Sequence, residues 1–153
     1  VHTILDHFPE VEAIAGVATG AIPQGALVAD ALNLPFVYVR NKPKDHGLEN
    51  LIEGELKAGM KVVVVEDLIS TGGSSLKAVE AIRNNACDVI GMVASYTYGF
   101  PVAKKAFKDA QIKLVTLTDY EHVVDEALKT GYIDDSDVEV LHEWRKDPAH
   151  WDE

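Results

Sequence analysis

Four consecutive valines, Val62, Val63, Val64 and Val65, run directly into two acids, Glu66 and Asp67. A β-branched run this short and this apolar fits a strand buried on both faces, the situation of a central strand in a parallel sheet. Glu66 and Asp67 then fall at the carboxyl end of that strand. Ser70, Thr71, Gly72, Gly73, Ser74 and Ser75 follow, and after them a helical pattern with Leu76, Val79, Ile82 and Ala86 on one face. Paired glycines let backbone N–H groups turn inward, hydroxyls add donors, and a helix N-terminus adds the positive end of a dipole. Ligands of open parallel sheets bind outside the carboxyl ends of the strands. The stretch therefore predicts an anion cradle. Reading it as solvated acids followed by an ordinary capped helix would leave the paired glycines and the density of hydroxyls unexplained.

The cradle differs from the two commonest phosphate loops. No lysine follows Gly72 or Gly73, as a Walker A loop requires, and the spacing Gly-x-Gly-x-x-Gly is absent. A phosphate site avoids acids, so Glu66 and Asp67 must address another part of the same ligand. Ribose hydroxyls, which donate to carboxylates, suit them, with or without a metal ion.

The rest of the chain reads as alternating strands and helices. Val1, Ile4, Leu5 and Phe8 predict an opening helix that ends before Pro9. Residues 13–17 read as a strand, and a helix is expected to start at Pro23 and run to Leu32. Residues 36–39 read as a second strand and 51–56 as an edge segment. A further buried strand is expected over 89–94, a helix from Pro101 with Val102, Ala106 and Phe107 facing inward, and a last strand over 112–117. Thr118 with Glu121, and Ser136 with Glu139, have the spacing of capping boxes for two final helices. This alternation predicts an α/β fold, a parallel β-sheet flanked by helices with right-handed crossovers, as a single core domain over 1–153.

Composition narrows the function. A net charge of −11 disfavours a nucleic-acid backbone as partner. No apolar run approaches the roughly 20 residues that span a bilayer, and no signal peptide is visible. The single cysteine, Cys87, sits in an expected helix-to-strand turn and reads as structural. His142, Trp144 and Trp151 read as packing or surface residues, without metal-ligand spacing.

Residues 63–74, Val-Val-Val-Glu-Asp-Leu-Ile-Ser-Thr-Gly-Gly-Ser, resemble the phosphoribosyl pyrophosphate (PRPP) signature of type I phosphoribosyltransferases, in the form found among orotate phosphoribosyltransferases. The resemblance implies a Rossmann-like core and Mg2+-dependent transfer of phosphoribose from PRPP to orotate, a step of pyrimidine biosynthesis. It implies that Glu66 and Asp67 hold the ribose 2- and 3-hydroxyls, and that PRPP also meets Leu68 and Ile69. Ser70, Thr71, Gly72, Gly73 and Ser74 would cradle the 5-phosphate, with Ser70 close to orotate. Tyr98, beyond the 89–94 strand, is a candidate for the base pocket. The implied metal comes with PRPP and has no direct protein ligand.

Residues 40–50 lack apolar periodicity and hold three of the chain's 14 Lys and Arg residues within 40–44, followed by His46. Beside a phosphate cradle in an acidic chain, this reads as a pyrophosphate clamp. It is similar to the catalytic loop of that family, with Arg40, Lys44 and His46 on matching positions and Asn41 where many members have a second lysine. The resemblance further implies a cytoplasmic homodimer in which this loop reaches the neighbouring subunit's site. That family also carries an N-terminal segment, the hood, over the base. The chain as given starts after it, from which PRPP binding with weakened orotate binding is expected. Another base phosphoribosyltransferase, a PRPP-binding regulator and an inactive homologue are the alternatives.

Overall fold

The computed structural model describes residues 1–41 and 51–151. Six strands form one sheet in the order β3-β2-β1-β4-β5-β6. They are β1 (Ala13–Val17), β2 (Phe36–Val39), β3 (Ile52–Glu53), β4 (Lys61–Ile69), β5 (Asp88–Thr97) and β6 (Leu114–Asp119). The pairings of β1 with β2 and β4, and of β4 with β5, are parallel, and β3 runs antiparallel along the β2 edge. The chain moves from β1 outward to β2 on one side, then returns to place β4 on the other. The reversal of strand order therefore falls between β1 and β4, where open α/β sheets bind their ligands.

The valine run explains why β4 is central. Val63 and Val65 pack with Ile4 of α1 (His2–His7) and Phe8 just after it, and with Ala21 and Ala29 of α2 (Ala21–Leu32), on one face of the sheet. Val62 and Val64 pack on the other face, with Ala78, Val79 and Ile82 of α3 (Gly73–Asn84) and Ala103 and Phe107 of α4 (Pro101–Asp109). All four valines are 5% exposed or less, so the period-2 alternation of the strand feeds two cores at once.

Several boundaries differ from the sequence reading. β4 continues through Glu66 and Asp67 to Ile69, and β5 runs on to Thr97. α2 begins at Ala21, two residues before Pro23, because Ala21, Gly25 and Ala29 form a small-residue stripe that lies close to the sheet. Ala86 lies outside α3, with a left-handed φ of 57°. α4 turns Ala103 and Phe107 inward and leaves Val102 56% exposed.

The chain divides into two compact units, Val1–Leu117 and Thr118–Glu153. The second holds α5 (Tyr120–Lys129), α6 (Asp135–Lys146) and a short 3-10 turn, Pro148–His150. The first helix is capped one residue later, and the second two residues earlier, than the spacing suggested. Asp119 accepts from the His122 N–H, and Asp134 forms a reciprocal box with Asp137. Within this unit Trp144 stacks on Tyr120 with centroids 5.7 Å apart, and the Tyr120 hydroxyl donates to the Leu141 carbonyl at 2.8 Å. His142 lies 3.8 Å from Glu121, and Trp151 is 45% exposed. Among the described residues no helix is long and apolar enough to cross a membrane.

Candidate active site at the carboxyl ends of the strands

Glu66 and Asp67 point to opposite faces of β4, as neighbours on a strand must. Glu66 turns inward and is 4% exposed. Its Oε2 accepts from the Ser75 hydroxyl at 2.7 Å and its Oε1 from the Asp67 N–H at 3.1 Å. Burial pushes the Glu66 carboxyl up from the usual 4.5 to about 7, reinforced by a hydrogen bond with the Asp67 side chain and opposed by the Ser75 hydroxyl. Asp67 turns toward the loop after β1. Its Oδ1 accepts from the Leu68 N–H at 2.8 Å, and its Oδ2 lies so near Gly20 that a Cβ there would stand 1.8 Å from it. The loops after β1 and β4 thus meet at the strand-order reversal.

The turn after β4 enters α3 through Gly72, whose φ of 84° is left-handed and which packs on the Phe107 ring. No side chain caps this helix, in contrast to α5 and α6. The first helical N–H groups have no partner within the helix, and Thr71, Gly73 and Ser74 beside them are exposed. An uncapped N-terminus ringed by hydroxyls is chemically an anion site. Ser70 is half-buried, Leu68 is 42% exposed, and Ile69 lies fully buried in the core.

Arg40 follows β2 at the same edge of the sheet, two strands or about 10 Å from β4. Its Nη1 lies 3.3 Å from Glu53 Oε1 of β3. Asn41 donates from Nδ2 to the Ala18 carbonyl at 3.0 Å, tying the start of the 40–50 segment to the loop after β1. Lys44 and His46 lie outside the described residues. Tyr98, just past β5, donates its N–H to the Ile69 carbonyl at 3.1 Å, stacks on Phe100 at 5.4 Å and meets the edge of Tyr96 at 5.1 Å. The structure therefore gathers Glu66, Asp67 and residues 70–74 at the ends of β1 and β4, with Arg40 and Tyr98 on the flanking strands. Cys87 is buried and donates from Sγ to the Lys57 carbonyl, away from this edge.

The contacts of three residues escaped the sequence reading, which counted Ser75 only among the hydroxyls of the loop and Asn41 only as a departure from the family's lysine. Ser75 carried a signal: it shares a helical stripe with Ala78, Val79 and Ile82, an odd place for a hydroxyl without a buried partner. Gly20 and Asn41 carried none, since their roles depend on which strand lies beside which.

Among the described residues no group of three or more His, Cys, Asp or Glu side chains gathers as a metal site.

With this geometry in place, the chain belongs to the phosphoribosyltransferase family: the phosphoribosyl transferase domain matches residues 4–131, and the sheet is that of the type I members. Within the family, highly similar relatives are orotate phosphoribosyltransferases. The enzyme of that name from Bacteroides fragilis is 78% identical over 97% of this chain and 70% of its own length. The one from Cytophaga hutchinsonii is 54% identical over 99% of this chain and 72% of its own. The crystal structure of orotate phosphoribosyltransferase from Aeropyrum pernix superposes with a TM-score of 0.73 at 29% identity, covering 86% of this chain and 74% of that one.

Proposed function

We propose that this chain carries out the orotate phosphoribosyltransferase reaction, PRPP plus orotate giving orotidine 5′-monophosphate and pyrophosphate. The observation that carries the reading is the pairing of Glu66 and Asp67 at the end of β4 with the uncapped N-terminus of α3, five to seven residues further on. One ligand with ribose hydroxyls beside a phosphate meets both groups.

In the reaction a ring nitrogen of orotate bonds to the anomeric carbon and gives up its proton to pyrophosphate or solvent, while the bond from that carbon to the pyrophosphate oxygen breaks. The bonding pair leaves with pyrophosphate. Positive charge grows on the ribose and negative charge on the leaving group. Glu66 and Asp67, accepting from the 2- and 3-hydroxyls, fix the sugar and face its developing charge. Residues 70–74 and the first α3 amides anchor the 5-phosphate, and Leu68 lines the approach. Arg40, Lys44 and His46 supply the cationic partner for pyrophosphate, and Ser70 and Tyr98 border orotate. Mg2+, bound with PRPP, would offset part of the pyrophosphate charge. The reading includes a cytoplasmic homodimer in which the 40–50 loop serves the neighbouring subunit.

A product assay with PRPP, Mg2+ and a panel of orotate, uracil, adenine, guanine and hypoxanthine tests this. Orotidine 5′-monophosphate is the expected product. Nucleotide formation from a purine, with none from orotate, overturns the assignment.

A further inference from the structure

We propose that Ser75 is a positioning residue for Glu66, fixing the carboxylate that faces the ribose and linking it to the helix whose N-terminus holds the 5-phosphate. The inference rests on the reading of Glu66 as a ribose ligand. Ser75 is 1% exposed and Glu66 4%, so neither polar group can turn to water for a partner. The Ser75 hydroxyl donates to Oε2 at 2.7 Å, a buried hydrogen bond between β4 and α3. The Asp67 N–H donates to the opposite oxygen, and the hydrogen bond with the Asp67 side chain favours the protonated form that the Ser75 hydroxyl opposes.

Ser75 lies within the first turn of α3, directly after the residues that form the cradle. The helix that carries the cradle is thereby tied by one hydrogen bond to the acid beneath the sugar. The link also bears on charge. β5 sets Ala94 opposite Glu66, and the charged group acting on it is Asp67, which together with burial favours the protonated form. The Ser75 hydroxyl works against both and preserves the acceptor capacity that ribose hydroxyls need.

The test is a carbon-13 NMR titration of the Glu66 carboxyl in the wild type and Ser75→Ala, paired with PRPP affinity across pH 6 to 9. Losing a hydrogen bond to a charged group should move the Glu66 midpoint up by about one pH unit. The ionised fraction at pH 7 then falls from about one half to about one in eleven, so PRPP should bind about fivefold more weakly there, a gap that closes by roughly pH 9. In a Glu66→Gln background the same Ser75→Ala change should leave the pH profile unaltered. An unmoved midpoint in folded Ser75→Ala overturns the proposal. A midpoint that rises with PRPP affinity unchanged at every pH leaves the hydrogen bond standing but removes Glu66 from the ribose site, and Ser75's positioning role with it.

Discussion

Burial strips hydration from the Glu66 carboxylate, and the group titrates near 7 in place of 4.5. Between those values the folded protein keeps a proton that the unfolded chain releases. Stability contributed by this group is therefore present at low pH and lost as pH rises from about 4.5 through 7. The loss amounts to about 3 kcal/mol. Glu66→Gln keeps a similar shape and cannot ionise, so its melting temperature should gain on the wild type as pH rises from 5 to 8, while PRPP binding weakens. A melting difference that does not change with pH would contradict this account of Glu66. Asp67 offers a different residue-scale test. Gly20 has an ordinary φ of −63°, so Gly20→Ala adds no backbone strain, and the nearest atoms to its Cβ are those of the Asp67 carboxylate, at the end of a side chain that can turn away. The variant should melt near the wild type yet bind PRPP about tenfold more weakly or worse, by the value of a hydrogen bond to a charged group. Unchanged affinity, measured by calorimetry, would detach Gly20 from the site. The acidic pair itself was plain in the sequence. That one member is buried and bound to Ser75 while the other meets Gly20 was not, because those contacts join residues nine and 47 positions apart.

Elements are where local pattern and tertiary packing disagree. The central strand and the helix after it were legible because a β-branched run followed by glycines leaves few alternatives. The face of α4 was misjudged because apolarity favoured Val102, whereas the sheet accepts the small Ala103 and pairs it with Phe107 one turn on. The helix caps shifted because Asp119 and Asp134 accept the first-turn N–H groups as well as Thr118 and Ser136 could. Gly72 and Gly73 look interchangeable in sequence and differ in the fold. Gly72 has a left-handed φ of 84°, and a Cβ there would lie 2.8 Å from the Phe107 ring, while at Gly73 the nearest atom is 3.9 Å away. Gly72→Ala should destabilise by about 2 kcal/mol or more, combining backbone strain with overpacking. Gly73→Ala should stay near the wild type. Equal melting temperatures for the two variants would mean that the turn is not held in the left-handed form.

At the scale of the whole molecule, the alternation of strands and helices predicted a parallel sheet, and the order β3-β2-β1-β4-β5-β6 supplies what the alternation leaves open. That order puts the loops after β1 and β4 side by side, so Asp67, Gly20 and the α3 N-terminus converge on one edge. A net charge of −11 makes a site for a phosphate-rich ligand depend on local dipoles and a few cations rather than on the overall field. The central claim is that this edge recognises a ribose and its 5-phosphate together. Its most direct measurement is a calorimetric titration of PRPP with Mg2+ into the wild-type protein and Asp67→Asn. An amide has less acceptor capacity toward sugar hydroxyls than a carboxylate, so the wild type should bind and the variant should bind at least tenfold more weakly. Equal affinity in the two proteins would contradict the account.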